Sequence, residues 1–133
     1  MSGEGLTGLR RALHRIPELG FEEEATSAHI RELVGAYAQV RSIAGTGLVA
    51  DLGSPDASRT LLLRADMDGL PIQEATGLSY ASVHAGRMHA CGHDAHMAAL
   101  VTAGELLAAR PPDSLRIRLL FQPAEEGVGG ATR

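Results

Sequence analysis

Four of the six histidines and the only cysteine of this 133-residue chain fall in one short window, His84-Ala-Gly-Arg-Met-His89-Ala-Cys91-Gly-His93-Asp94-Ala-His96. Thiolate and imidazole are the side chains that bind borderline transition metals best, so the window reads first as a metal site. Two acidic pairs stand apart from it, Asp66 and Asp68 in Asp66-Met-Asp-Gly-Leu-Pro71 and Glu125 and Glu126 in Gln122-Pro-Ala-Glu-Glu-Gly127. In an adjacent pair one carboxylate can bind a metal while the other takes a proton from water as general base. A bound cation lowers the pKa of water from about 15.7 to roughly 7, within reach of a carboxylate. A further carboxylate can orient the ligating imidazole. Cys91, His93 and the two acidic pairs together describe a hydrolytic metal site.

These residues need elements to bring them together. Leu6, Leu9, Leu13 and Ile16 recur at helical spacing up to Pro17, and Ile30, Leu33, Val34 and Tyr37 repeat the pattern, so two amphipathic helices are expected to open the chain. Apolar runs at 47–52, 60–65 and 115–121, bounded by Gly, Pro, Ser and Asp, read as strands. Between the last two lies a helix with Asp94 as its expected N-cap, one face formed by Met97, Leu100, Val101, Gly104 and Leu107, and Pro111-Pro112 beyond its end. Such alternation predicts an α/β fold, a three-layer sheet with flanking helices. In open sheets of this kind ligands gather at the carboxyl ends of strands, where both acidic pairs stand. The metal-binding window precedes a helix N-terminus, whose dipole is expected to favour a thiolate at Cys91. The last predicted strand ends without a following helix, so the chain is expected to be a fragment or truncated product of something longer.

Taken singly, the same residues have plainer readings. A lone Cys is more often buried than ligating. His89 and His96 divide evenly between the site and a structural or solvent-facing role, His84 reads as loop surface, and His14 and His29 read as polar-face helix residues. Glu22 to Glu24 read as helix-start charges. Asp66 and Asp68 could serve as turn formers before Gly69. Gly45-Thr-Gly47 and Gly127-Val-Gly-Gly130 read as ordinary turns, and Met67, Met88 and Met97 as packing.

Composition removes several other functions. With 44% apolar residues and a formal charge of -4, the chain can bury a core, which must be aliphatic because Trp is absent and Phe and Tyr number two each. Few aromatics and no basic cluster argue against nucleic-acid binding. All 12 basic residues are Arg, which excludes a lysine Schiff base and a P-loop lysine. One Cys cannot form an intrachain disulfide, the start Met-Ser-Gly-Glu-Gly-Leu is unlike a signal peptide, and no run approaches a membrane span, so the expected location is cytoplasmic.

The stretches 13–23, Arg64-Ala-Asp-Met-Asp-Gly-Leu-Pro71, Met88-His-Ala-Cys-Gly-His-Asp-Ala-His96 and Phe121-Gln-Pro-Ala-Glu-Glu-Gly127 resemble the amidohydrolase branch of the aminoacylase and carboxypeptidase G2 superfamily. That branch includes hippurate hydrolases, N-acetyl-diaminopimelate deacetylases and hydrolases of auxin–amino acid conjugates. The resemblance implies that Cys91, His93 and Glu126 are ligands to a pair of divalent ions, with Cys91 bridging them. It implies Glu125 as general base and Asp68 as the carboxylate that orients the site. Asp66 stands where related peptidase branches carry a metal-binding histidine. The implied metal is Zn, with Mn, Co or Ni as alternatives, and the implied reaction hydrolyses an N-acyl amino acid to a carboxylate and a free amino acid.

By the same resemblance residues 1–133 are the N-terminal portion of a zinc-peptidase-like catalytic domain. The rest of that domain, with two further histidine ligands, and an inserted lid through which such proteins form homodimers lie outside the sequence. Hydrolysis is therefore expected of the longer protein. A truncated, non-catalytic homologue acting as a weak metal-binding or interaction module is the alternative, and a closed structural zinc site is a third reading.

Overall fold

The computed structural model describes residues 5–127 and 129–133; residues 1–4 and 128 lie outside them. The chain runs α1 (Gly5–His14), α2 (Glu24–Gly35), β1 (Val40–Ile43), β2 (Gly47–Gly53), β3 (Thr60–Asp66), α3 (His93–Ala109) and β4 (Arg116–Gln122), with a 3-10 turn at Gly130–Thr132. The α/β class expected from the sequence is the one found. The sheet order is β1-β2-β4-β3. The β1/β2 and β2/β4 pairs are antiparallel, and β3/β4 is parallel.

Alternation along the strands sets the core. Leu48, Ala50 and Leu52 of β2 pair with Phe121, Leu119 and Ile117 of β4. All six point to the side on which Met97, Ala98 and Val101 of α3 and Ile30 and Val34 of α2 are buried. The opposite side carries Leu62, Leu120 and Ile43 beside an ion-paired cluster, Arg118 and Arg41 on Asp51. At Gly104 α3 comes close to its neighbours: a Cβ there would lie 2.5 Å from the Tyr37 hydroxyl and 2.6 Å from Leu119 Cδ1. That hydroxyl donates to the Val101 carbonyl at 3.0 Å, joining the end of α2 to α3.

Several local expectations change. The first helix stops at His14 rather than Ile16, and Ile16 N–H closes a turn on the Leu13 carbonyl at 3.1 Å. The residue before a proline avoids helical ψ, so Pro17 ends the helix early. β1 was not anticipated; it forms a hairpin with β2 through a turn in which Ala44 and Gly45 have positive φ. The N-cap of α3 is Gly92, at φ 89°, with Asp94 inside the first turn. Asp94 is wholly buried, and its Oδ2 meets His14 Nδ1 at 2.8 Å and Arg10 Nε at 3.0 Å. His14 is accordingly buried rather than on a polar face, with its Nε2 3.2 Å from Glu74 Oε1.

The segment from Met67 to Gly92 has no helix or strand beyond the bridge between Leu70 and Met88. It is fastened to the chain's N-terminal part instead. Gly69 N–H donates to the Glu18 carbonyl at 2.7 Å and Val83 N–H to the Arg15 carbonyl at 2.9 Å. His84 Nδ1 lies 2.9 Å from the Pro17 carbonyl oxygen, and Arg87 pairs with Glu22 at 2.9 Å. A long irregular segment carrying Asp68 and Cys91 is thus held by backbone and side-chain contacts to residues 15–22.

The Asp51 cluster gives the fold a modest acid sensitivity. Hydrogen bonding from Arg118, against a smaller opposing effect of burial, holds the Asp51 carboxyl below the usual carboxylate range. A folded-state pKa lower than the unfolded one means stability present above about pH 4 and lost as pH falls through the folded value. Asp51→Asn should therefore melt below the wild-type protein near neutrality, and the two melting curves should converge as pH falls through the lowered Asp51 value. Because these side chains are about a third exposed, solvent screening keeps the difference small.

Candidate metal centre

Two neighbouring parallel strands end at the same edge, which is why both acidic pairs arrive together. Asp66 at the end of β3 pairs in register with Gln122 at the end of β4, and Met67 N–H continues the ladder to the Gln122 carbonyl at 2.9 Å. The chain then leaves β3 through Met67 and Asp68 and leaves β4 through Pro123 to Glu126. α3 connects the strands, and its first turn delivers His93 to that same edge, with Cys91 just before it.

One ligand atom from each of Cys91, His93 and Glu126 forms a group in which all lie within 4.8 Å of one another. A second group on the same criterion contains Asp66, His93 and Glu125. His93 belongs to both: its Nε2 stands 3.8 Å from Glu125 Oε2 and 3.9 Å from Glu126 Oε1. All five candidate site residues of the sequence therefore meet here, and so does Asp66. His84 and His14 do not belong to either group; His96 is exposed, with its ring 5.9 Å from that of His93.

Asp68 is buried and holds two of these parts. Its carbonyl oxygen is 2.8 Å, and its Oδ1 3.3 Å, from His93 Nδ1, while its Oδ2 accepts the Glu126 N–H at 2.8 Å. Burial alone would raise the Asp68 pKa, but His93 and the N–H groups of Glu126, Asp68 and Glu125 outweigh it and hold the carboxyl below its ordinary value. The same partner pushes His93 up to about 9, against burial and with help from Asp66. An Nδ1 committed to Asp68 leaves Nε2 as the nitrogen that faces Glu125 and Glu126. Asp68 thus meets the His93 ring chiefly through its backbone carbonyl, with Oδ1 close by and buried without a hydrogen bond.

Three further residues differ from expectation. Cys91 is exposed, and its thiol is pushed up by its hydrogen bond to Glu126, then by burial and the charges of Glu126, Glu125 and Asp66. Carboxylates, not the helix dipole, dominate there. His89 is 4% exposed, with neither ring nitrogen hydrogen-bonded, and burial pushes its pKa down to about 4 despite the nearby Asp94. Glu23, read from sequence as a helix-start charge, is 0% exposed. Its carboxylate accepts the Ala124 N–H at 2.8 Å and the Thr46 hydroxyl at 2.5 Å, and burial raises its pKa against those bonds. The side chain that caps α2 is Glu18, whose two oxygens accept the N–H groups of Ala25 and Thr26 at 3.1 and 2.8 Å.

The donor set suits a divalent transition metal. Thiolate, imidazole and carboxylate together match zinc chemistry, and three protein ligands leave a tetrahedral position open. Glu126 Oε1 is buried without a hydrogen-bond partner, an arrangement that costs free energy unless a cation or another donor faces it. The two glutamates differ in access: the Glu125 side chain is 39% exposed and that of Glu126 25%.

The model of peptidase family M20/M25/M40 matches residues 62–133. Over 132 residues the chain is 52% identical to N-acetyl-L-cysteine deacetylase of Bacillus subtilis, covering 96% of this chain and 32% of that protein. It is 46% identical over 130 residues to N-acetyldiaminopimelate deacetylase of Halalkalibacterium halodurans, covering 95% and 34%. Among solved structures, Bacillus subtilis YXEP, described as a dinuclear metal binding peptidase of the M20 family, superposes with a TM-score of 0.85 at 39% identity, covering 91% of this chain and 35% of that one. The chain thus spans about a third of the length of these curated relatives.

Proposed function

The chain belongs to peptidase family M20/M25/M40, and from that membership we propose that it is the N-terminal portion of the catalytic domain of a metal-dependent amidohydrolase. The complete protein cleaves the amide bond of N-acyl amino acids, N-acetylated or hippurate-like, to a carboxylate and a free amino acid. Relatives named as deacetylases of N-acetylated amino acids support the substrate class. The observation that carries the reading is the grouping of Cys91, His93 and Glu126 beside the more accessible carboxylate of Glu125.

In this proposal Cys91, His93 and Glu126 hold a pair of divalent ions together with ligands from the rest of the protein. Zinc fits the donors best, with manganese, cobalt or nickel as alternatives. When bound, the cations supply Lewis acidity, polarising the scissile carbonyl and acidifying water. Asp68 keeps the His93 ring oriented through Nδ1, so that Nε2 faces Glu125 and Glu126 and would be the nitrogen offered to a metal. Glu125 accepts a proton from the attacking water on its carboxylate and returns it to the leaving amine nitrogen. No helix of the described residues is long and apolar enough to cross a membrane. A cytoplasmic enzyme that dimerises through its remaining part completes the reading.

The test is release of free amino acid from N-acetylcysteine, N-acetyldiaminopimelate and hippurate by the complete protein. Activity should vanish on removal of metal by a chelator and return with Zn, Mn, Co or Ni. Undiminished hydrolysis by the fully chelated protein would overturn the proposal.

A further inference from the structure

Glu23 lies outside every metal-ligand group, yet its carboxylate is turned to the loop that carries Glu125 and Glu126. It sits at the N-terminal boundary of α2, where its side chain makes no capping bond, that work being done by Glu18. Its oxygens instead accept the N–H of Ala124, 101 residues away, and the Thr46 hydroxyl in the β1–β2 turn. A wholly buried carboxylate is tolerated only where its acceptor sites are filled, and both partners here belong to the site's scaffold.

Ala124 needs such holding. Among the described residues it is one of three non-glycine residues with positive φ, at 52°, a conformation that L-residues keep only when their surroundings impose it. Its N–H is held by Glu23 and its carbonyl by the Gly130 N–H at 2.9 Å. Gly130 in turn packs so tightly that a Cβ would lie 1.7 Å from the Pro123 carbonyl oxygen. Two residues on, Glu126 N–H is taken by Asp68. Glu125 and Glu126 are therefore slung between two buried carboxylates, Glu23 before them and Asp68 at the second.

We propose that Glu23 is a positioning residue that sets the strained backbone at Ala124 and so places Glu126 against Cys91 and His93, and Glu125 beside them. This rests on the reading of Glu126 as ligand and Glu125 as base. What matters is reach, not charge: the side chain must span from α2 to Ala124 and accept its N–H. Glu23→Gln keeps that acceptor and length, whereas Glu23→Asp keeps the charge and falls short by one methylene.

The complete protein, stripped of metal and titrated with Co2+, tests this through the thiolate-to-cobalt and d–d absorption bands, below the melting temperature of every variant. Glu23→Asp should bind Co2+ about 10–100-fold more weakly, as loss of an outer partner of a ligand typically does. Its spectrum should be altered, and Glu23→Gln should stay within about threefold of wild type. Thr46→Val, which leaves the Ala124 bond in place, should fall between them. Equal Co2+ affinity in all variants, a lower melting temperature in Glu23→Asp without any change in Co2+ binding, or a defect in Glu23→Gln but not Glu23→Asp would each overturn the proposal. If the wild-type protein binds Co2+ but releases no amino acid from N-acyl substrates, the hydrolase reading fails while the Co2+ comparison still decides the role of Glu23.

Discussion

Replacing Glu125 with Ala in the complete protein is expected to lower kcat by about 10²- to 10⁴-fold, the usual contribution of a positioned general base. Bound metal should remain at the wild-type level. The two halves of this expectation come from different observations. Glu125 is the more exposed of the glutamate pair, and its carboxylate stands 3.8 Å from His93 Nε2. It does not belong to the group of Cys91, His93 and Glu126, so its loss leaves those three proposed ligands in place, and Asp66 and His93 of the second group also remain. Its exposure also predicts little change in folding stability, within about 0.5 kcal/mol for a surface substitution. Turnover of an N-acetyl amino acid, metal content by elemental analysis and a thermal melt together check the claim. A variant with wild-type kcat would remove Glu125 from the role of base.

His93→Ala should be more damaging, because it fails in two ways. It takes away the one residue common to both candidate ligand groups, so metal content and activity should fall together. It also strands Asp68. The two side chains are 3% and 1% exposed, and Asp68 keeps only its backbone N–H partners once the imidazole is gone. Removing one member of a buried pair typically costs about 3–5 kcal/mol, since the remaining charge stays buried and uncompensated. The second failure can be read alone by comparing urea denaturation of metal-free wild type and metal-free variant. Equal stability of the two would show that Asp68 does not depend on His93, and the orienting role would then have to be withdrawn.

The parts of the site legible in the sequence are those whose spacing is local. Cys91 and His93 are two residues apart, Glu125 and Glu126 are adjacent, and each group adjoins an apolar strand or helix with its own periodicity. Charge buried by distant partners leaves no such local signal. His14 and Asp94 meet across 80 residues, and Glu23 and Ala124 across 101. In a helical pattern His14 looks like any polar-face residue, and Glu23 in a run of three glutamates looks like solvated charge. Nothing within a few residues of either tells that its partner will arrive from the other side of the domain. β1 escaped for a different reason: Val-Arg-Ser-Ile is short and mostly exposed, and it becomes a strand only because the Ala44–Gly45 turn folds it onto β2.

The wide separation of these contacts also orders the steps of folding. Short loops close early and long ones late, because the entropy lost on closure must be met before the contact repays it. Cys91 and His93 can meet an ion as soon as the start of α3 forms. Glu126 joins them only after β4 has docked beside β3 and its N–H has found Asp68, a separation of 58 residues, and the Ala124 hold closes over 101. On the proposed ligand set, an ion present from the outset would meet two neighbouring donors first and exchange readily. With the ligands proposed, retention is expected only once the last strand is in place, so the rate of metal release would report completed folding rather than the first encounter.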